Sequence, residues 1–352
     1  MKSLSFIVGV LLLSFGCHRE ASSNEALEKT IQKENKFAII IHGGAGTILK
    51  KNMSEENEIA YKLKLEEAIK VGHTILKTGG TSQEAVMRTI QVMEESPLFN
   101  AGKGAVFTHD ETNELDASFM DGKTRNAGAV AGVKNVKSPI ALAIKIMTHS
   151  DHVMLSGEGA SRFAKEQGLE IVPPSYFYTE KRFKSLQRIQ KKEKTKMGEK
   201  DLKAAFYDAE IKNSKFGTVG CVALDKSGNI AAGTSTGGMT NKRWGRIGDA
   251  PIIGAGTYAN NLTCGVSATG WGEYFIRGQV AYDISAQMEY QHKSLKEATT
   301  DVIQHKLTQL GGTGGVVALD KDGNMSFEFN TAGMYRASMN DQGTLIVKIY
   351  KE

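Results

Sequence analysis

Hydrophobic positions in this chain come in two patterns, short unbroken runs and longer runs of helical period. Residues 37–41 (Phe-Ala-Ile-Ile-Ile) are unbroken and predict a buried strand, which runs into a glycine-rich turn, His42-Gly43-Gly44-Ala45-Gly46-Thr47. Over residues 56–76 apolar side chains recur at helical spacing (Ile59, Leu63, Ile69, Ile75), and Gly79-Gly80 stops the helix. Ser82 is the expected cap of a second helix reaching about Met93. Residues 127–133 and 140–147 read as strands and residues 157–167 as a helix, and Pro173-Pro174 closes the ordered part. A lysine-rich stretch follows, with weak helical potential around residues 202–211.

Beyond it the pattern repeats. Val222-Ala223-Leu224-Asp225-Lys226-Ser227-Gly228-Asn229 returns as Val317-Ala318-Leu319-Asp320-Lys321-Asp322-Gly323-Asn324. Each copy is an apolar strand, a Gly-Asn turn and a second strand, which is a β-hairpin. The echo extends to Thr236-Gly237-Gly238-Met239 against Thr331-Ala332-Gly333-Met334. Residues 274–288 and 295–310 between the copies read as helices. Hairpins with helices inserted in pairs point to an α+β protein, antiparallel sheets sandwiched by helices, rather than a βαβ series.

Composition adds little to this: 352 residues, 40% hydrophobic and 24% charged, suit an ordinary globular core, and 38 glycines against 5 prolines favour tight turns. Charge is more informative. Residues 180–216 hold twelve Lys/Arg against six Asp/Glu, a surplus of +6, while the whole chain carries +5. The basic run Lys191, Lys192, Lys194, Lys196 has no interleaved aromatic residue. It reads as a solvated linker, not a nucleic-acid surface. At the start, Lys2 and the apolar residues 4–15 form a leader too short to span a bilayer. It ends Leu13-Ser14-Phe15-Gly16-Cys17. A small residue before a cysteine there resembles a bacterial lipobox, so lipid on Cys17 and a polar tether over residues 18–35 are expected, with a plain secretory cleavage as the alternative. Either way the mature protein is exported, to the periplasm or cell envelope, and any membrane contact is through that lipid. Cys221 and Cys264 then remain, too few for a disulfide framework, and Cys221 reads as a small buried hydrophobe.

Candidate chemistry gathers at the junction of the lysine-rich stretch and the next strand: Phe216-Gly217-Thr218-Val219-Gly220-Cys221. A chain cut between Gly217 and Thr218 exposes a threonine whose α-amine, with a pKa near ~7.7–8.0, can take the proton of its own hydroxyl. In the uncut chain that amine is an amide, so cleavage switches activity on. More hydroxyls follow in Thr234-Ser235-Thr236-Gly237-Gly238 and Thr269-Gly270, with Gly245-Arg246-Ile247-Gly248-Asp249 between them. For an amino acid joined through its side chain, Arg246 suits the free carboxylate and Asp249 the free ammonium. Thr269-Gly270 can offer a hydroxyl and an N–H to a developing oxyanion. His149, Asp151 and His152 lack a third zinc ligand at family spacing and read as a helix-start cluster. The His42 turn lacks a phosphate-binding glycine spacing and reads as structural.

Over nearly the whole mature chain, these features resemble the plant-type asparaginase/isoaspartyl peptidase family of N-terminal nucleophile hydrolases. The stretches that carry the resemblance are residues 41–46, Pro97-Leu98-Phe99-Asn100-Ala101-Gly102, residues 115–122, Gly217-Thr218-Val219-Gly220, and residues 234–249. The resemblance implies an αββα sandwich. It implies a precursor that cuts itself between Gly217 and Thr218 into an α chain (core 36–174, linker 175–217) and a β chain (218–352), paired as (αβ)2. Thr218 falls on the nucleophile and Thr236 on the threonine beside it. Arg246 and Asp249 fall on the substrate carboxylate and amine sites, and Thr269 and Gly270 on the oxyanion hole. Gly272 falls on a carbonyl facing the ammonium, and Asn100 on an asparagine near the nucleophile. Carbonyls of Met93, Glu94, Ser96, Phe99, Ala101 and Lys103 match a loop holding a structural sodium; no cofactor serves the chemical step. The substrates implied are β-aspartyl dipeptides and L-asparagine. Two positions depart from the family: Trp244 stands where proline is usual, and Trp271 where a small residue is usual.

Two rival readings differ in testable ways. Glycosylasparaginases share the machinery but usually continue Thr-Ser-Thr with Asn-Gly, whereas this chain has Gly237-Gly238-Met239-Thr240-Asn241-Lys242. An uncut, inactive lipoprotein that binds amino acids or peptides needs none of the catalytic threonines, yet all are present.

Overall fold

A computed structural model describes residues 36–196 and 217–351. The leader (1–17), Cys17, the tether (18–35) and the weak helical potential at 202–211 lie outside the described residues. Strands β1 (Ala38–Gly46), β2 (Leu115–Asp121), β3 (Ala127–Val133), β4 (Met154–Ser156), β5 (Val219–Leu224), β6 (Ile230–Thr236), β11 (Gly333–Asn340) and β12 (Leu345–Tyr350) form one sheet. Its order is β12-β11-β1-β5-β6-β2-β3-β4, antiparallel except for β3–β4. A second sheet, β10-β9-β8-β7, holds β7 (Thr257–Ala259), β8 (Cys264–Gly270), β9 (Gly314–Asp320) and β10 (Met325–Phe329).

The unbroken run of β1 has a simple cause: both of its faces are buried, so alternation is lost. Ile39 and Ile41 join a core cluster with Leu65, Ile69, Val86 and Ile90 from helices α1 (Glu55–Lys77) and α2 (Ser82–Glu94). Ala38 and Ile40 point the other way, into a cluster with Val266, Val316 and Leu319 of the second sheet. Period-two geometry thus makes one strand line two cores.

The echo proves to be two hairpins in different sheets, β5–β6 and β9–β10. Its repeated aspartate is a turn device. Asp225 accepts from the backbone N–H groups of Ser227 and Asn229, and Asp320 from those of Asp322 and Asn324.

Several expectations are corrected. Residues 140–147 are not a strand but helix α3 (Pro139–His149), begun by Ser138 accepting from the Ala141 N–H and by Pro139 at the first position. A short apolar run does not separate strand from helix by period alone. His149 therefore ends a helix instead of starting one, and no cluster of three His, Cys, Asp or Glu able to hold a metal occurs among the described residues. In α1, Ile59 and Leu63 are exposed, and the buried face is Tyr61, Leu65, Ala68, Ile69, Gly72 and Leu76. Thr81, one residue before Ser82, caps α2. The His42-to-Gly46 turn is instead the end of β1, with a bulge between His42 and Gly44.

Past α4 (Gly157–Glu166), the expected linker is in part a helix, α5 (Glu180–Lys196). Leu186 and Ile189 are buried, and the Phe183 ring meets Phe107 edge-on at 5.4 Å. Its lysines lie on a helix with one apolar face, which a count of charge does not reveal. The helix expected at 274–288 breaks at Gln279 (φ 45°) into α6 (Gly272–Gly278) and α7 (Val280–Gln291). The next begins as α8 (Leu295–Thr300) and continues as a π-helical turn over Asp301–Leu307.

Candidate active site

Three of the singled-out residues converge on the carbonyl of a fourth, Gly217. The Gly217 oxygen accepts from Asn100 Nδ2 at 2.9 Å and from the Thr236 hydroxyl at 3.0 Å. The Thr218 hydroxyl lies 2.7 Å from the same oxygen and 3.1 Å from Thr236 Oγ1. β5 and β6 are paired, with Val219 opposite Ser235, which brings the residues flanking them, Thr218 and Thr236, together. Asn100 is fixed on every side: Nδ2 also donates to the Gly238 carbonyl at 2.8 Å, and Oδ1 accepts from the Val106 N–H at 2.9 Å. Thr236 Oγ1 accepts from the Gly238 N–H at 3.0 Å. The carbonyl between Gly217 and Thr218 is therefore polarised by two donors whose own positions are held.

Arg246 and Asp249 form a second group. The Arg246 fork donates to both oxygens of Glu273, Nε at 2.9 Å and Nη2 at 2.8 Å. Burial opposes the Arg246 charge, and Glu273, helped by Asp249 and Asp116, outweighs it, so the guanidinium pKa goes up. Asp249 is buried, and its Oδ2 has no hydrogen-bond partner. Burial pushes its pKa up to about 7, against the pull of Arg246. Gly272, at the start of α6, is required by close approach: a Cβ there would lie 2.7 Å from Asp249 Oδ1 and 3.0 Å from Arg246 Nη2. Thr269, next to last in β8, is wholly buried, its Oγ1 accepting from the Ala45 N–H at 3.3 Å. Gly270 follows in the same strand. Trp271 is buried edge-on to Tyr274 at 5.0 Å, while Trp244 is almost fully exposed.

The carbonyl loop after α2 is tightly folded. A Cβ on Gly102 would sit 2.2 Å from the Glu94 carbonyl oxygen, and one on Gly104 only 1.9 Å from that of Phe99. Two oxygens of the expected set thus lie so close to the chain at 102 and 104 that only glycine fits there. The Glu94 side chain has work the sequence did not disclose. It is buried and accepts from Ser138 and Ser235 hydroxyls, both at 2.7 Å, and from the Ile140 N–H at 3.0 Å. Burial raises its pKa to about 7.

Sequence reasoning missed three further residues. Glu273 pairs with Arg246 across 27 positions, a separation with no periodic signature. His42 and Ser267 lie under Thr218; the available signal was a lone imidazole directly after a buried strand.

The chain belongs to the asparaginase family, whose model matches residues 35–349. Among its relatives, an isoaspartyl peptidase of Escherichia coli (strain K12) is 48% identical over 90% of this chain and 97% of that protein. A probable isoaspartyl peptidase/L-asparaginase 2 of Arabidopsis thaliana is 39% identical over 90% of this chain and 99% of its own length. An isoaspartyl peptidase/L-asparaginase of Mus musculus is 37% identical over 87% of this chain and 88% of that protein.

Proposed function

We propose that this protein is an autoproteolytically activated hydrolase of β-aspartyl (isoaspartyl) dipeptides and L-asparagine, with Thr218 as its nucleophile. The observation that carries the reading is the Gly217 carbonyl, held by Asn100 and Thr236 with the Thr218 hydroxyl 2.7 Å from its oxygen. In maturation, Thr218 Oγ attacks the Gly217 carbonyl carbon. The two donors receive the charge that develops on oxygen, the C–N bond breaks, and the nitrogen takes the proton. The resulting ester is opened by water, which leaves a Gly217 carboxylate and a free Thr218 amine.

In turnover the amine accepts the Thr218 hydroxyl proton, and Oγ attacks the side-chain carbonyl of the substrate. Thr269 and Gly270 supply the oxyanion donors. Ammonia or an amino acid leaves with a proton, and water releases aspartate. Asp249 holds the substrate ammonium, for which its unpartnered buried oxygen is suited, and the Gly272 carbonyl assists. Arg246 holds the α-carboxylate, which must share the guanidinium with Glu273 or displace that side chain. A sodium ion bound by carbonyls of Met93, Glu94, Ser96, Phe99, Ala101 and Lys103 would brace the loop that carries Asn100. Glycine at 102 and 104 lets the chain pass close to the Glu94 and Phe99 carbonyls, the tight loop that such an ion would hold together.

The same reading includes helix–sheet–sheet–helix layering, pairing as (αβ)2, and export with a lipid on Cys17. Purified protein should run on a denaturing gel as two fragments, the smaller beginning at Thr218, and should hydrolyse β-aspartyl-leucine. Thr218→Ala should stay whole and inactive. A single band from active protein, or cleavage persisting in Thr218→Ala, would overturn the proposal.

A further inference from the structure

We infer that His42 is a positioning residue for Thr218, its tautomer set by the Thr218 carbonyl and matched by Ser267 at the end of a buried file of hydroxyls; this rests on the reading of Thr218 as nucleophile. His42 is completely buried and stands opposite Gly220 in the β1–β5 register. Its Nδ1 is 2.9 Å from the Thr218 carbonyl oxygen and its Nε2 is 2.9 Å from Ser267 Oγ. A Cβ on Gly220 would fall 2.3 Å from that Nε2 and 1.9 Å from Ser267 Oγ. The glycine two places after Thr218 therefore keeps open the space in which imidazole and hydroxyl meet.

Proton bookkeeping fixes the direction of each bond. A carbonyl only accepts, so Nδ1 carries the hydrogen. Burial drives the imidazole pKa down to about 3, so the ring is neutral and Nε2 is bare. Ser267 must then donate to Nε2, which leaves its oxygen to accept from Thr234 at 2.7 Å. Thr234 accepts from the Thr257 hydroxyl at 2.5 Å. The file runs one way, Thr257 to Thr234 to Ser267 to His42 to the Thr218 carbonyl, and chains of this kind polarise each other. Beyond its far end, Ser118 Oγ lies 2.8 Å from Thr257 Oγ1 and 2.5 Å from the carbonyl oxygen of Ala250, the residue after Asp249, and its single hydrogen serves only one of them.

The consequence concerns the cut chain. Thr218 precedes β5, and after cleavage nothing holds it from its N-terminal side. The plane of its carbonyl then sets where its hydroxyl and amine point. His42 holds that carbonyl without touching the reacting atoms.

Asparagine and glutamine substitutions separate this from simple packing. His42→Asn places an amide nitrogen where Nδ1 was; His42→Gln places one where Nε2 was and abandons the Thr218 carbonyl. With β-aspartyl-leucine, His42→Gln should lose roughly 10²-fold in kcat with KM unchanged, the scale of a misaimed nucleophile, and His42→Asn should recover most of that loss. If the side chain only fills space, glutamine, the closer match in volume, will be the better variant, and the inference fails. It fails equally if both variants lose the same activity. Should neither fold, the imidazole 15N shifts of intact labelled enzyme decide: a neutral ring protonated on Nδ1 is expected, in wild type and in Ser267→Ala alike, and an Nε2-protonated wild-type ring overturns the assignment. Wild-type protein that is neither cut at Thr218 nor active would instead sink the nucleophile reading itself.

Discussion

Asp249 is a carboxylate that lacks a partner where it is buried. Its Oδ2 has no donor, and burial holds its pKa at about 7. A substrate ammonium supplies both the donor and the charge, but only to the ionised form. kcat/KM for a β-aspartyl dipeptide should therefore fall as pH drops below 7. In the proposed turnover the Thr218 amine, with a reference pKa near ~7.7–8.0, must also be free, so two deprotonations are needed. Below both values, log kcat/KM against pH should have a slope approaching two. Asp249→Asn should reduce that slope to one and cost roughly 10²-fold at pH 8, since a hydrogen bond to a charged group contributes about 1.5–3 kcal/mol. An unchanged slope in the variant would remove Asp249 from ammonium binding. Arg246 and Asp249 were legible in the sequence because charged residues bounded by glycines stand out. The Glu273 carboxylate and the His42 imidazole were not, because what defines them is contact between strands and helices far apart in the chain.

Helix α5 shows the limit of charge counting. Its lysines suggested a solvated linker, yet Leu186 and Ile189 are buried and Gln190 donates to the His109 carbonyl at 3.0 Å. Glu193 receives Asn241 Nδ2 at 2.8 Å and Arg243 Nη2 at 3.0 Å, so the helix grips the start of the loop that carries Arg246 and Asp249. Leu186→Ala should destabilise the protein by about 2–5 kcal/mol in denaturant unfolding, whereas Lys191→Ala should stay within about 0.5 kcal/mol. Near-zero values for both would mean that the helix does not pack. The strands were easier to read. β1 and β5 are buried on both faces, and the repeated Asp-x-x-Gly-Asn marks a turn whose aspartate caps its own backbone. Helix α3 defeated the same reading because its short run is apolar on nearly every side.

The interior as a whole carries an unusual proton balance, and it predicts how stability follows pH. Glu94 and Asp249 titrate near 7 in the folded chain, against 4.5 and 3.8 as ordinary values, and burial raises Asp116 as well. A raised carboxyl pKa means the folded state binds the extra proton. Its stabilising contribution is complete below the unfolded pKa and is lost as pH rises through the folded one. His42 acts oppositely: lowered from 6.5 to about 3, it leaves the extra proton on the unfolded chain, so its contribution is present above 6.5 and lost as pH falls. Between pH 5 and 6.5 the carboxyls outnumber the imidazole, and each uncompensated proton is worth about 1.4 kcal/mol per pH unit. Unfolding free energy should therefore decline from pH 5 to 7 instead of peaking at neutrality. Glu94→Gln keeps acceptor and donor capacity toward Ser138 and Ser235 but removes one proton from the balance, so the decline should flatten by about one proton's worth. Parallel wild-type and Glu94→Gln profiles over pH 5–8 would show that Glu94 is ionised throughout, and that its three donors, the hydroxyls of Ser138 and Ser235 and the N–H of Ile140, outweigh the cost of its burial.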